Sequence, residues 1–135
     1  MAELKAGLST TRRFAIDKER TISVMGEELR VYATPSMVLD LERPCRDVLD
    51  EHQKDGEDSV GARVEIDHLG PTLLGMWVDV TAKIASVEGP RVIFDVEVKD
   101  ALDTVGRAKH IRFVVDKARQ KQRLEAKAAK AKAAG

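Results

Sequence analysis

The sequence predicts an α+β domain in which a curved antiparallel sheet wraps around one long helix. Two observations carry this. Apolar side chains between Met37 and Leu49 recur at spacings of three and four, the period of a helix with one buried stripe. After Ala62, four segments alternate apolar and polar residues, the period of strands with one dry face each. With a single prominent amphipathic helix before the strands, burial is most complete when the sheet curls around it.

The chain has 135 residues, enough for one core and not for two. We divide it into a leader (1–13), the domain (14–116) and a basic Ala/Lys-rich tail (117–135). Phe14-Ala-Ile16 reads as the first strand. Residues 23–33 mix Met25, Leu29, Val31 and Tyr32 with Gly26 and read as an irregular covering segment. Thr34-Pro35 opens the helix: threonine suits the N-cap and proline the first turn, where its missing N–H goes unneeded. Met37, Val38, Leu41, Cys45, Val48 and Leu49 form the stripe, and Asp40, Asp47, Asp50 and Glu51 fall on the wetter face. Pro44 removes one helical hydrogen bond and predicts a kink near Asp40–Leu41. Gln53–Ser59 reads as an acidic loop around Gly56.

In Ala62–His68 the inward face is Ala62, Val64, Ile66 and His68. In Trp77–Val87 it is Val78, Val80, Ala82 and Ile84. Glu88-Gly89-Pro90 supplies a hairpin turn. Val92, Phe94, Val96 and Val98 face inward on the next strand, and Ile111, Phe113 and Val115 on the last. On that reading His110 and Arg112 face away from the core. Tight turns between one-sided strands make an antiparallel meander.

Composition narrows the function classes. Cys45 is the single cysteine, so no intrachain disulfide forms, which fits a reducing compartment; its place on the stripe makes it a small core residue. The first residues lack a secretory apolar run, and no stretch approaches the ~20 apolar residues of a membrane span, so a cytoplasmic, membrane-free protein is expected. The neutral chain is electrically divided: Lys117–Gly135 holds seven basic residues and one acidic residue. That tail has no aromatic to stack on a base, and reads as a frayed helix or solubilising extension, with no nucleic-acid partner. His52, His68 and His110 lack paired metal-ligand spacing, and there is no glycine-rich phosphate loop or Gly-x-Ser-x-Gly elbow.

The residues with chemistry to offer are a hydroxyl, a carboxylate and an imidazole: Thr34, Glu42 and His68. Taken alone each has a plain structural role: helix cap, solvated helix residue and core histidine. Together with Val31-Tyr-Ala-Thr34-Pro-Ser-Met-Val, Ser59-Val-Gly61 and Ser86-Val-Glu-Gly89, their order resembles the fluoroacetyl-CoA thioesterase branch of the hot-dog superfamily over residues 14–116. The resemblance implies a homodimer that hydrolyses small or medium acyl-CoA thioesters without a cofactor, CoA being part of the substrate, and with active sites at the subunit boundary. It places the catalytic threonine on Thr34, the carboxylate on Glu42 and the histidine on His68. Substrate contacts fall on Gly61, through its backbone N–H, and on Arg112. The phenylalanines that gate the fluoroacetyl group in specialised members are replaced, near Met25 and Glu28.

Glu42 would attack the thioester carbonyl or deprotonate a water, and His68, with an imidazole pKa near ~6.5, suits proton shuttling at neutral pH. If the helix begins at Thr34, Glu42 lies ~12 Å further along its axis, so the two do not touch directly. Two rivals stand beside hydrolysis. A hot-dog hydratase or dehydratase wants an Asp-x-Asn-Pro-x-His element, absent here; a non-catalytic acyl-CoA binding module would bind without turnover.

Overall fold

The computed structural model describes residues 3–135. Five strands form one antiparallel sheet: β1 (Ser9–Ala15), β4 (Glu57–His68), β5 (Trp77–Glu88), β6 (Arg91–Lys99) and β7 (Thr104–Asp116), in the spatial order β1-β5-β6-β7-β4. The two-residue strands β2 (Thr21–Ile22) and β3 (Val31–Tyr32) pair with each other beside it. The helix α1 (Thr34–His52) lies against the inner face, and α2 (Lys117–Ala134) follows β7. This is the hot-dog arrangement that the sequence implied.

The core sits where the helix stripe meets the strands. Met37, Leu41, Cys45, Val48 and Leu49 are buried against Val78, Val80, Ala82 and Ile84 of β5 and Val92, Phe94, Val96 and Val98 of β6. Each buried aliphatic side chain contributes roughly 1.5–3 kcal/mol relative to exposure, so this interface holds the domain together. A glycine is required at the β5–β6 hairpin, where Gly89 has φ +60°.

Several sequence expectations need correction. The first strand begins at Ser9, inside the stretch read as leader, because Ser9–Arg13 pair with β5 from Lys83 to Asp79. β4 begins at Glu57, inside the expected loop, and the covering segment contains β3 and a short 3-10 turn at Glu27–Leu29. Of the two readings of the tail, helix or solubilising extension, the helix is the one formed, with Asp116 accepting from the Ala118 and Arg119 N–H groups. The one long helix is as expected, and α1 continues through Pro44 to His52.

The last strand is reversed relative to the expectation. Gly106, Ala108, His110 and Arg112 face α1, while Ile111 and Phe113 lie on the opposite face. The physical reason is space. A Cβ at Gly106 would stand 2.7 Å from the Met37 sulfur, so only the face of small residues can approach the helix this closely.

Asp40 is likewise not on a wet face. It is buried, accepting from the Tyr32 hydroxyl (2.6 Å) and from Arg20 Nε (2.9 Å) and Nη2 (3.2 Å). Arg20 also donates to Asp17 (2.8 Å). A buried carboxylate needs such partners, and here they tie the segment before the helix onto α1.

Candidate active site

Thr34 is the first residue of α1 rather than its cap: Ala33 holds the N-cap position, and no side chain caps the helix there. Freed from capping, Thr34 Oγ1 lies 2.7 Å from His68 Nδ1 at the end of β4. The Tyr32 ring meets the imidazole edge-on, with centroids 6.2 Å apart and planes at 72°. Burial lowers the His68 pKa below its usual value, partly opposed by a hydrogen bond with the Gly70 backbone. The imidazole is therefore neutral at pH 7 and able to accept a proton.

Two turns further along α1, Glu42 faces a second cluster. It lines a pocket of about 250 Å³ with Gly61, Ala62, Arg63, Val64 and His110. β4 bulges between Gly61 and Arg63, so that Gly61 pairs with Arg112 while Arg63 pairs with Ile111. A Cβ at Gly61 would lie 3.3 Å from His110 Cε1, 3.4 Å from Arg112 Nη1 and 3.7 Å from Glu42 Oε1. The glycine thus leaves open a space that the carboxylate, guanidinium and imidazole all border.

Arg112 is buried, donating from Nε to Ser59 Oγ (3.0 Å), from Nη2 to Ser59 O (3.1 Å) and from Nη1 to His110 Nε2 (3.2 Å). Burial lowers its pKa and the Glu42 carboxylate acts in the opposite direction; a guanidinium remains charged throughout. His110 is fully buried and its Nδ1 lies 2.9 Å from Arg63 O. With Arg112 donating to one ring nitrogen and a carbonyl accepting from the other, only the neutral Nδ1–H tautomer satisfies both. Burial is the main cause of its lowered pKa.

The structure therefore brings Thr34 together with His68, and Glu42 together with Gly61 and Arg112, as two groups within one protomer. Arg112, read from sequence as an outward charge, is an interior residue, and His110, given no role from sequence, stands between it and Arg63. The signal available was the run Gly106-x-Ala108-x-His110-x-Arg112: small residues mark the face that a helix can approach.

A larger hollow, about 460 Å³, lies among Glu65, Asp67, Lys83, Asp95 and Glu97, and none of Thr34, Glu42, Gly61, His68 and Arg112 lines it. Among the described residues, no cluster of His, Cys, Asp and Glu side chains could hold a metal ion, and no helix is long and apolar enough to cross a membrane.

Known proteins are similar to this chain in sequence and in fold. A curated fluoroacetyl-CoA thioesterase from Streptantibioticus cattleyicolor is 29% identical over 119 residues, 83% of this chain and 86% of its own. The crystal structure of a Thermus thermophilus hypothetical protein, a thioesterase superfamily member, superposes with a TM-score of 0.90 at 28% identity, covering 98% of this chain and 99% of that one. A fluoroacetyl-CoA-specific thioesterase variant in complex with fluoroacetate and CoA superposes with a TM-score of 0.75 at 29% identity, over 84% of this chain and 96% of its own. The family model described as fluoroacetyl-CoA-specific thioesterase matches residues 16–118. The chain belongs to that family, and is a thioester hydrolase of the hot-dog fold.

Proposed function

We propose that this protein hydrolyses small or medium acyl-CoA thioesters as a homodimer, with Glu42 as nucleophile or general base, His68 as proton shuttle and Thr34 as its hydrogen-bonding partner. The observation that carries the reading is Glu42 itself: a half-buried carboxylate on a rigid helix, facing a pocket beside a glycine with no side chain to block it. As a nucleophile, its oxygen adds to the thioester carbonyl and the carbonyl electron pair moves to oxygen. Collapse expels the CoA thiolate and leaves an anhydride for water to open. As a base, Glu42 takes a proton from the water that attacks. In this reading the backbone N–H of Gly61, beside the β4 bulge, donates to the oxyanion.

Dimerisation accounts for the separation of the two groups. β4 is an edge of the sheet along all 12 of its residues, with unpaired backbone donors and acceptors facing outward. Two-fold antiparallel pairing of this edge with a second copy runs the His68 end of one strand toward the Gly61 region of the other. The Thr34–His68 pair of one protomer and the Glu42 of its partner then border one space.

Free-thiol release from a panel of acyl-CoAs tests the reading, with crotonyl-CoA included to register hydration by loss of enoyl absorbance. Hydrolysis of acetyl- to medium-chain substrates is expected. Binding without turnover, or hydration alone, would overturn it.

A further inference from the structure

We infer that Tyr32 is a positioning residue for His68: its ring holds the imidazole against Thr34, and Asp40 in turn holds Tyr32. The inference rests on the thioesterase reading above, in which His68 carries a proton, and deepens it. Each link is a direct contact. Arg20 donates to Asp40 from Nε (2.9 Å) and Nη2 (3.2 Å), and the Tyr32 hydroxyl donates to the same carboxylate (2.6 Å). The Tyr32 ring meets the imidazole at 72°, with centroids 6.2 Å apart, and the imidazole Nδ1 lies 2.7 Å from Thr34 Oγ1.

A hydrogen bond at one nitrogen leaves an imidazole free to swing about that bond, so a second neighbour must fix the ring. Thr34 and the Gly70 backbone supply the polar contacts, and Gly106, paired with His68 on β7, has no side chain to offer. The packing wall is Tyr32. Both restraints are referred to one helix: Thr34 opens α1, and Asp40 lies ~9 Å further along its axis. The imidazole at the end of β4 is thereby located against the element that also carries Glu42, directly through Thr34 and indirectly through Tyr32 and Asp40. Tyr32 and Asp40 are both buried, and the Tyr32 N–H donates to Thr72 O (2.8 Å). For filling space alone, phenylalanine beside an aliphatic residue would serve. A buried carboxylate between a phenol and a guanidinium adds little net stability, but only one arrangement of the three satisfies it.

The test measures steady-state thiol release by Tyr32→Phe, Tyr32→Leu, His68→Ala and the double variant Tyr32→Phe/His68→Ala, each well below its melting temperature. Phenylalanine keeps the ring but releases it from Asp40; leucine removes the ring. Tyr32→Phe is expected to lose roughly three- to tenfold in kcat and Tyr32→Leu roughly 10- to 100-fold, both with KM within about threefold of wild type. His68→Ala is expected to lose about 100-fold or more. Adding Tyr32→Phe to it should cost nothing further, because a positioning residue has no effect once the group it positions is gone. Unchanged kcat in Tyr32→Leu would overturn the inference. So would a Tyr32→Phe loss that persists undiminished in the His68→Ala background, which is what a merely structural role gives.

If Tyr32→Leu does not fold, the Tyr32→Phe cycle decides alone, and an unchanged kcat in Tyr32→Phe overturns the inference. His68→Ala separates the two levels. An inactive His68→Ala beside wild-type kcat in the Tyr32 variants removes this inference alone, whereas wild-type turnover by His68→Ala removes the reading on which it rests.

Discussion

Thr34 and His68, 34 residues apart, share a 2.7 Å hydrogen bond between Oγ1 and Nδ1 where the first turn of α1 meets the end of β4. The bond ties the start of the central helix to the edge strand, and it leaves the other ring nitrogen to point elsewhere. Thr34→Ser is expected to retain at least a third of wild-type turnover, and Thr34→Val to lose roughly 10- to 100-fold, both measured by thiol release with melting temperature as the check on folding. Full activity in Thr34→Val would reduce the pair to a structural tie.

Gly61→Ala is expected to lower kcat/KM by about tenfold or more while the protein stays folded. The added methyl would stand 3.3 Å from His110 Cε1 and 3.4 Å from Arg112 Nη1, so both must give way by tenths of an ångström beside Glu42. Because the position is solvent-facing, the cost should register in kinetics far more than in melting temperature. An unchanged kcat/KM would show that the close approach is not used.

Acid should destabilise the fold before the carboxylates titrate. His68 and His110 both have folded-state pKa values below the unfolded ~6.5, with burial as the leading cause. Above that value both states are neutral and the full contribution is present. As pH falls below it the unfolded chain binds protons first, so stability declines with acidification until the folded-state values are passed. Asp79, held low by its hydrogen bond from Arg13, acts only below the carboxylate value of 3.8. Melting temperature is therefore expected to fall between pH 7 and pH 5, with a shallower slope in His110→Gln. A flat profile over that range would contradict the burial argument.

Two buried groups give stability predictions. Tyr32→Phe removes the donor to the buried Asp40 and is expected to cost about 1.5–3 kcal/mol by denaturant titration. Cys45 is buried and its thiol is pushed up to about 12, mainly by desolvation, so native protein should resist thiol-selective alkylation and contribute no background in a thiol-release assay. Rapid modification of the folded protein would contradict that placement.

The fold was legible wherever one period ruled a segment. Met37, Leu41, Cys45 and Val48 could only line one helix face, and Val78 to Ile84 only one strand face, so the core followed directly. β7 was misread because both of its faces carry apolar residues, and the deciding factor was side-chain size: Gly106 and Ala108 admit Met37, as Ile111 and Phe113 could not. Asp40 was misplaced for a different reason. Its burial depends on Tyr32 and Arg20, partners brought from an irregular segment that carries no periodic signal. Within the candidate site, Thr34, Glu42 and His68 stood out by order and spacing. His110 did not, because its contacts to Arg112 and Arg63 exist only once β4 and β7 are paired.

The central claim is that the Glu42 carboxylate cleaves the thioester. Thiol release by folded Glu42→Gln, measured against wild type on the best acyl-CoA of the panel, tests it most directly. A loss of at least ~100-fold in kcat at unchanged melting temperature is predicted. Turnover within a few-fold of wild type would contradict it.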